Sequence, residues 1–182
     1  MNRALTRIPV VSFAGVALLA TACSSPQTGN PSPDPRTETT STTTSAAAAK
    51  DPLAALKPCD LLTAAEIGSL GLTAPGSPEK LGGKELCEWK ISGNGGLSAG
   101  AEKGVADLNL DKAASSSIDV GKYEAVLVKA PNGAASLCTV AIEVTDSSSL
   151  VVIANLTASS TDTAAACERA TKAAELIAPK LP

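Results

Sequence analysis

Four cysteines constrain this chain more than any other feature. Cys59, Cys87, Cys138 and Cys167 are spread through its last two thirds at spacings of 28, 51 and 29 residues, and a fifth, Cys23, stands apart near the N-terminus. No Cys-x-x-Cys occurs, and these spacings fit no zinc-ligand pattern, so disulfides are the expected use. The chain needs such links. Hydrophobic residues make up 44 % of it, but aromatics only 2 %, with one Phe, one Trp and one Tyr in 182 residues. A core drawn from Leu, Val, Ile and Ala alone is thin and calls for reinforcement.

The position of Cys23 separates it from the others. Arg3 and Arg7 precede an apolar run from Ile8 to Ala20, which ends in Ala20-Thr21-Ala22-Cys23. A run this short suits a signal-peptide core better than a permanent membrane span. The junction resembles the lipobox of bacterial lipoproteins, whose cysteine is acylated and becomes the mature N-terminus. It departs from that pattern at Ala20, where Leu is usual, with Leu19 one place earlier. Residues 1–22 are thus expected to be a lipoprotein signal peptide and Cys23 the lipid-attachment site. The membrane is the partner this implies, and the outer face of the cytoplasmic membrane, toward the cell wall, is the expected location.

From Ser24 to Asp51 the chain is rich in Pro, Ser and Thr, with no apolar period. Such a stretch cannot bury a core, so residues 23–51 are expected to be a disordered tether. About 28 residues of flexible chain span roughly 30 Å. The remainder, 52–182, is long enough for one domain.

Within that domain several elements are legible. Thr63 and Glu66 form a capping box, Leu62 and Ile67 stand at the staple positions, and Gly71 supplies a left-handed stop. They predict a short helix over 64–70. Leu86 to Ile91 alternates, with Cys87, Trp89 and Ile91 on one face, and Leu97 to Glu102 is its expected partner. Residues 107–115 lean toward helix. Tyr123 to Lys129 reads as a strand, followed by a turn at Pro131-Asn132-Gly133. Leu137 to Thr145 alternates with Cys138, Val140, Ile142 and Val144 on one face. Leu150 to Leu156 is the next strand of an antiparallel meander. Thr163 to Ala178 predicts a helix with Cys167, Ala170, Ala174 and Ile177 on one stripe, a Glu168–Lys172 pair, and Pro179 as its stop. The expected class is α+β: an antiparallel sheet of five to six strands, with a short N-terminal helix and a C-terminal helix packed on it.

With Cys23 committed to lipid, the four other cysteines allow three pairings. The face pattern selects among them. Cys138 points to the core side of its strand and Cys167 lies on the apolar stripe of the last helix, so Cys138–Cys167 would pin helix to sheet. Cys59–Cys87 would then tie the first helix to the strand carrying Trp89.

Taken together, Pro58-Cys59-x-Leu61-Leu62-Thr63, Cys87-x-Trp89, Gly121 with Ala125, Cys138-x-Val140, and Cys167 in a helix running to Leu181-Pro182 resemble the actinobacterial lipoproteins grouped as domain of unknown function 3558. The resemblance covers Lys57 to the end. Lys57 departs from it, since Asp usually precedes Pro-Cys. It implies an exported lipoprotein with paired cysteines and an α+β fold, and it implies no activity.

Composition excludes several chemistries. The chain contains no histidine. That removes imidazole acid–base catalysis, Ser-His-Asp and Cys-His nucleophiles, and most zinc sites. The net charge is −3 and the pI near 5.0; loss of residues 1–22 removes Arg3 and Arg7 and takes the charge to −5. Neither nucleic acid nor an anionic lipid surface suits such a chain. Ser77-Pro78-Glu79-Lys80 matches the Ser-x-x-Lys of penicillin-interacting enzymes but lacks the helix and the Lys-Thr-Gly strand, and it reads as a loop. Asp107 to Asp111 begins like a calcium loop, yet Lys112 stands where Gly is needed and Ile118 where Glu is needed. Gly93-x-Gly95-Gly96 lacks a phosphate loop's context. Asn155-Leu156-Thr157 matches a glycosylation acceptor but falls in an expected strand. Trp89 is expected to pack beside the Cys59–Cys87 bridge, the alternative being a ligand-stacking role. No catalytic residue, metal site or cofactor is expected. The reading is a non-enzymatic binding or interaction module of the cell envelope, with an envelope protein as its partner. The rival is a carrier of lipid or another apolar ligand in a cavity between sheet and helix.

Overall fold

The computed structural model describes residues 51–91, 93, 95–157 and 159–182, all within one unit, Ser45–Pro182. The expected leader 1–22, Cys23 and the tether as far as residue 50 lie outside the described residues.

Capping chemistry sets the entry to the fold. The Thr63 hydroxyl accepts from the Glu66 N–H at 3.3 Å while the Thr63 N–H donates to Glu66 Oε2 at 2.7 Å. These bonds satisfy donors that a helix start leaves free, and they specify helix α1, Ala64–Ser69. Gly71, at φ +68°, ends it, with the Leu72 N–H returning to the Ile67 carbonyl at 3.0 Å. Only Ile67 of α1 is buried. The N-terminal helix, expected to pack on the sheet, is instead a short capped turn that buries one side chain. The 3-10 turn before it, Pro58–Asp60, is what lies against the sheet.

Seven strands follow: β1 Ser77–Leu81, β2 Lys84–Ile91, β3 Gly95–Lys103, β4 Ser115–Val120, β5 Tyr123–Lys129, β6 Leu137–Thr145 and β7 Ser148–Asn155. Helix α2, Thr163–Ile177, closes the chain. All neighbours pair antiparallel in one sheet of order β1-β2-β3-β7-β6-β5-β4. The sheet thus has seven strands rather than five to six. The two extra ones carry weak local signals. β1 holds the Ser77–Lys80 segment expected as a loop, recruited by pairing with the strong strand β2. β4 takes the end of the segment expected as helix over 107–115. That segment forms two 3-10 turns, Val105–Asp107 and Lys112–Ala114, and then Ser115 enters the sheet against Val128.

The register defines two faces. Cys87, Trp89, Leu97, Ala99, Leu150, Val152, Ala154, Cys138, Val140, Ile142 and Ala125 share one, and each is at most 3 % exposed. Helix α2 covers this face over β6 and β7. Asp162 caps it, accepting from the Ala165 N–H at 3.0 Å. Its stripe of Ala166, Cys167, Ala170, Ala173, Ala174 and Ile177 is buried. Four of the six are alanines, so the helix axis can approach the sheet closely without leaving space beneath. Glu168 does not pair with Lys172; the Lys172 ammonium instead donates to the Ser69 carbonyl at 3.5 Å. Among the described residues the ion pairs are Lys80–Glu85, Lys84–Glu102 and Lys180–Glu66.

The opposite face is partly covered by the chain itself. To pass from β3 to β4, residues 104–114 must cross β7, β6 and β5. Val105 of this crossing lines a cleft with Val126 and Glu143, which places it on the face away from α2. The Val105–Asp107 turn of this crossing lies against β6, whose Ala141 and Thr139 are buried on that side.

Candidate functional site

Two disulfides position the surfaces of the domain. Cys59 is joined to Cys87, and Cys138 to Cys167, each with Cα atoms 4.9 Å apart. The first ties the Pro58–Asp60 turn to β2. The second ties α2 to β6. Trp89 is fully buried next to the first bridge. A Cβ built on Gly76 would lie 2.4 Å from both Cys87 Sγ and Trp89 Nε1, so these two groups are neighbours. The indole N–H has no hydrogen-bond partner within the described residues. Its ring is shut in by Gly76 and the bridge, and ligand stacking is closed to it.

The C-terminal turn is fastened to the segment around α1. The Lys180 ammonium donates to the Leu61 carbonyl and to Glu66 Oε2, both at 2.6 Å. The Lys180 hydrogen bond, followed by that from the Thr63 N–H, holds the Glu66 carboxyl below its usual range. The Tyr123 hydroxyl donates to the Pro182 carbonyl oxygen. Half-exposed Lys and Glu thus serve the fold here.

The motifs weighed in the sequence separate in space. Ser77 and Lys80 lie on one strand at odd spacing and face opposite sides of it, so they form no serine–lysine pair. Asp111 is occupied by caps: its two carboxylate oxygens accept from the Ala113 N–H at 3.1 Å and the Asn132 N–H at 3.4 Å. Gly95 and Gly96 sit in β3, where a side chain at either would meet Ile91 or the Trp89 carbonyl. No group of three His, Cys, Asp or Glu able to hold a metal is found among the described residues. No described helix is long and apolar enough to cross a membrane.

The hollows are open. A groove of about 730 Å³ beside α2 is walled by Leu127, Lys129, Thr163, Cys167, Glu168 and Thr171. A second, of about 490 Å³, lies between the Pro58–Asp60 turn and β1. A third, of about 380 Å³, runs along β4 and β5 and is lined by Ser117, Asp119, Glu124, Val126 and Glu143. In it Asp119 stands directly across from Glu124. Glu143 follows Ile142, the partner of Ala125, so the register carries it beside Glu124. None of the three belongs to an ion pair among the described residues. Directly opposed like charges weaken a strand pair. Sequence reasoning missed this row because alternation places each acid on a polar face, while only the pairing of β4, β5 and β6 aligns them.

No curated protein and no solved structure matches the chain. A family model does match it over residues 18–180, and the chain belongs to the family described as "Protein of unknown function (DUF3558)".

Proposed function

We propose that this protein is exported, anchored by lipid on Cys23 to the outer face of the cytoplasmic membrane, and presents a non-enzymatic interaction domain to the cell envelope. The observation that carries the reading is the cysteine arithmetic. The domain's four cysteines are consumed in two disulfides, which persist in oxidising compartments, and that leaves Cys23 as the odd thiol at the end of an apolar run. The family match begins at residue 18, so Cys23 lies inside the stretch the family shares. The close seat of α2 on the sheet supports a surface role over an enclosed apolar cargo.

Metabolic labelling with an alkyne fatty acid tests the anchor. The chain takes up label and sediments with membranes, and Cys23→Ala loses both. Labelling unchanged in Cys23→Ala refutes the anchor. Native mass spectrometry of the chain tests the domain's role: lipid bound within the domain would refute the interaction reading in favour of a carrier.

A further inference from the structure

We propose that the free edge of β4 takes up an extended, lysine- or arginine-bearing polypeptide segment as an eighth strand; this rests on the interaction reading above. A sheet edge presents unpaired main-chain N–H and C=O groups and is a template for another strand. The sheet has two edges, and they are treated differently. On β1 the Leu81–Lys84 pair closes the hairpin, so the main-chain groups of Lys80 and Pro78 point outward. Pro78 has no N–H to offer, and Glu79 and Lys80 add charge: this edge is blunted. On β4 the Val120–Tyr123 pair closes the hairpin, so Ser115, Ser117 and Asp119 turn their main-chain groups outward. No loop or terminus bonds to those groups among the described residues. The strand is Ser-Ser-Ser-Ile-Asp-Val, with no proline and no lysine.

Charge identifies the occupant. Beside this edge, on one face, lie Asp119, Glu124 and Glu143 in a cleft of about 380 Å³, with no cation paired to them among the described residues. Alternate side chains of an added strand would point into that cleft, and cationic ones would relieve the repulsion between Asp119 and Glu124. A second copy of this chain fits poorly, because its β4 carries no cation: antiparallel pairing about Ser117 would set Asp119 opposite Ser115 and leave both acidic rows uncompensated.

The test uses the isotope-labelled full chain and a short synthetic peptide alternating lysine and valine, with a glutamate–valine peptide as control. The lysine peptide is expected to shift the Ser115, Ser117 and Asp119 amides saturably and to slow their hydrogen exchange. The control does neither. Ser117→Pro deletes an outward N–H without touching the β4–β5 ladder, and weakens binding by about tenfold or more. Raising the salt from about 0.1 M to about 1 M shortens the screening length from about 10 Å to about 3 Å and weakens binding severalfold. Asp119→Lys with Glu124→Lys leaves the backbone intact and reverses the preference toward the glutamate peptide; this variant decides the matter should Ser117→Pro fail to fold. The proposal falls if the β4 amides do not shift, if both peptides bind alike, or if the charge swap leaves the preference unmoved. It also falls if sedimentation shows self-association lost in Ser117→Pro, which assigns the edge to a second copy. Saturable lysine-peptide shifts confined to another surface overturn the edge and leave the interaction reading standing. Lipid recovered in the domain overturns that reading itself.

Discussion

Replacing Cys138 and Cys167 together by alanine measures how much this core depends on its bridges. Their sequence separation is 29 residues. In the chain-entropy picture a loop of that length restricts the unfolded chain by about 3–4 kcal/mol. A domain of this size has about 5–15 kcal/mol in all, so the pair stands for about a fifth or more of it. Cys138 is fully buried and Cys167 is 9 % exposed, so the lost sulfurs also leave a small void beneath α2. Alanine is chosen because serine would bury hydroxyls at the same place. Urea unfolding followed by Trp89 fluorescence is the assay. Trp89 is the chain's one tryptophan and is fully buried, and its neighbouring bridge, Cys59–Cys87, stays intact in this variant. With a urea slope of about 1–3 kcal/mol per molar, the midpoint should fall by between about 1 and 4 M. A fall worth less than about 1 kcal/mol at unchanged slope would refute the argument. It would mean that the alanine-lined seat of α2 holds without its staple.

Two further perturbations test separate joints. Gly76→Ala places a methyl 2.4 Å from Cys87 Sγ and Trp89 Nε1, so one of two buried groups must shift; a loss of about 1–3 kcal/mol in thermal unfolding is expected, and an unchanged midpoint would show that the strand entry yields freely. The Glu66 carboxyl is held low by Lys180 and Thr63, so its contribution is present above its unfolded value of 4.5 and is lost as pH falls through the lower folded value. Glu66→Gln should therefore cost at most about 1 kcal/mol near neutrality and remove part of the stability lost on acidification below about pH 4.5. A variant whose acid limb is as steep as the parent's would assign that limb to other carboxylates.

Several elements were legible because each is encoded within a few residues. Tyr123–Lys129 and Leu137–Thr145 appear at the expected limits, since apolar alternation over seven to nine residues admits little else. The capping box and Gly71 marked α1, and the alanine stripe marked α2. The bridges Cys59–Cys87 and Cys138–Cys167 join the cysteines that face pattern grouped together. Where local signals were weak, the reading failed. Ser77–Lys80 and Ser115–Ser117 have no apolar period, and they are strands because strong neighbours β2 and β5 supply ladder bonds to them. Glu168 and Lys172 had the spacing of a pair, but α1's Ser69 carbonyl draws the lysine away.

What the sequence determined by itself is therefore local: the odd cysteine at the end of an apolar run, the absence of histidine, the caps, and the faces of the strongest strands. These depend on neighbours within a turn or a pleat. The strand order β1-β2-β3-β7-β6-β5-β4 belongs to the tertiary structure alone. So do the crossing of residues 104–114 over three strands, the alignment of Asp119, Glu124 and Glu143, and the contrast between a proline-blunted edge and an open one. Each depends on which strands become neighbours, and alternation tells a strand which face to bury without telling it beside whom.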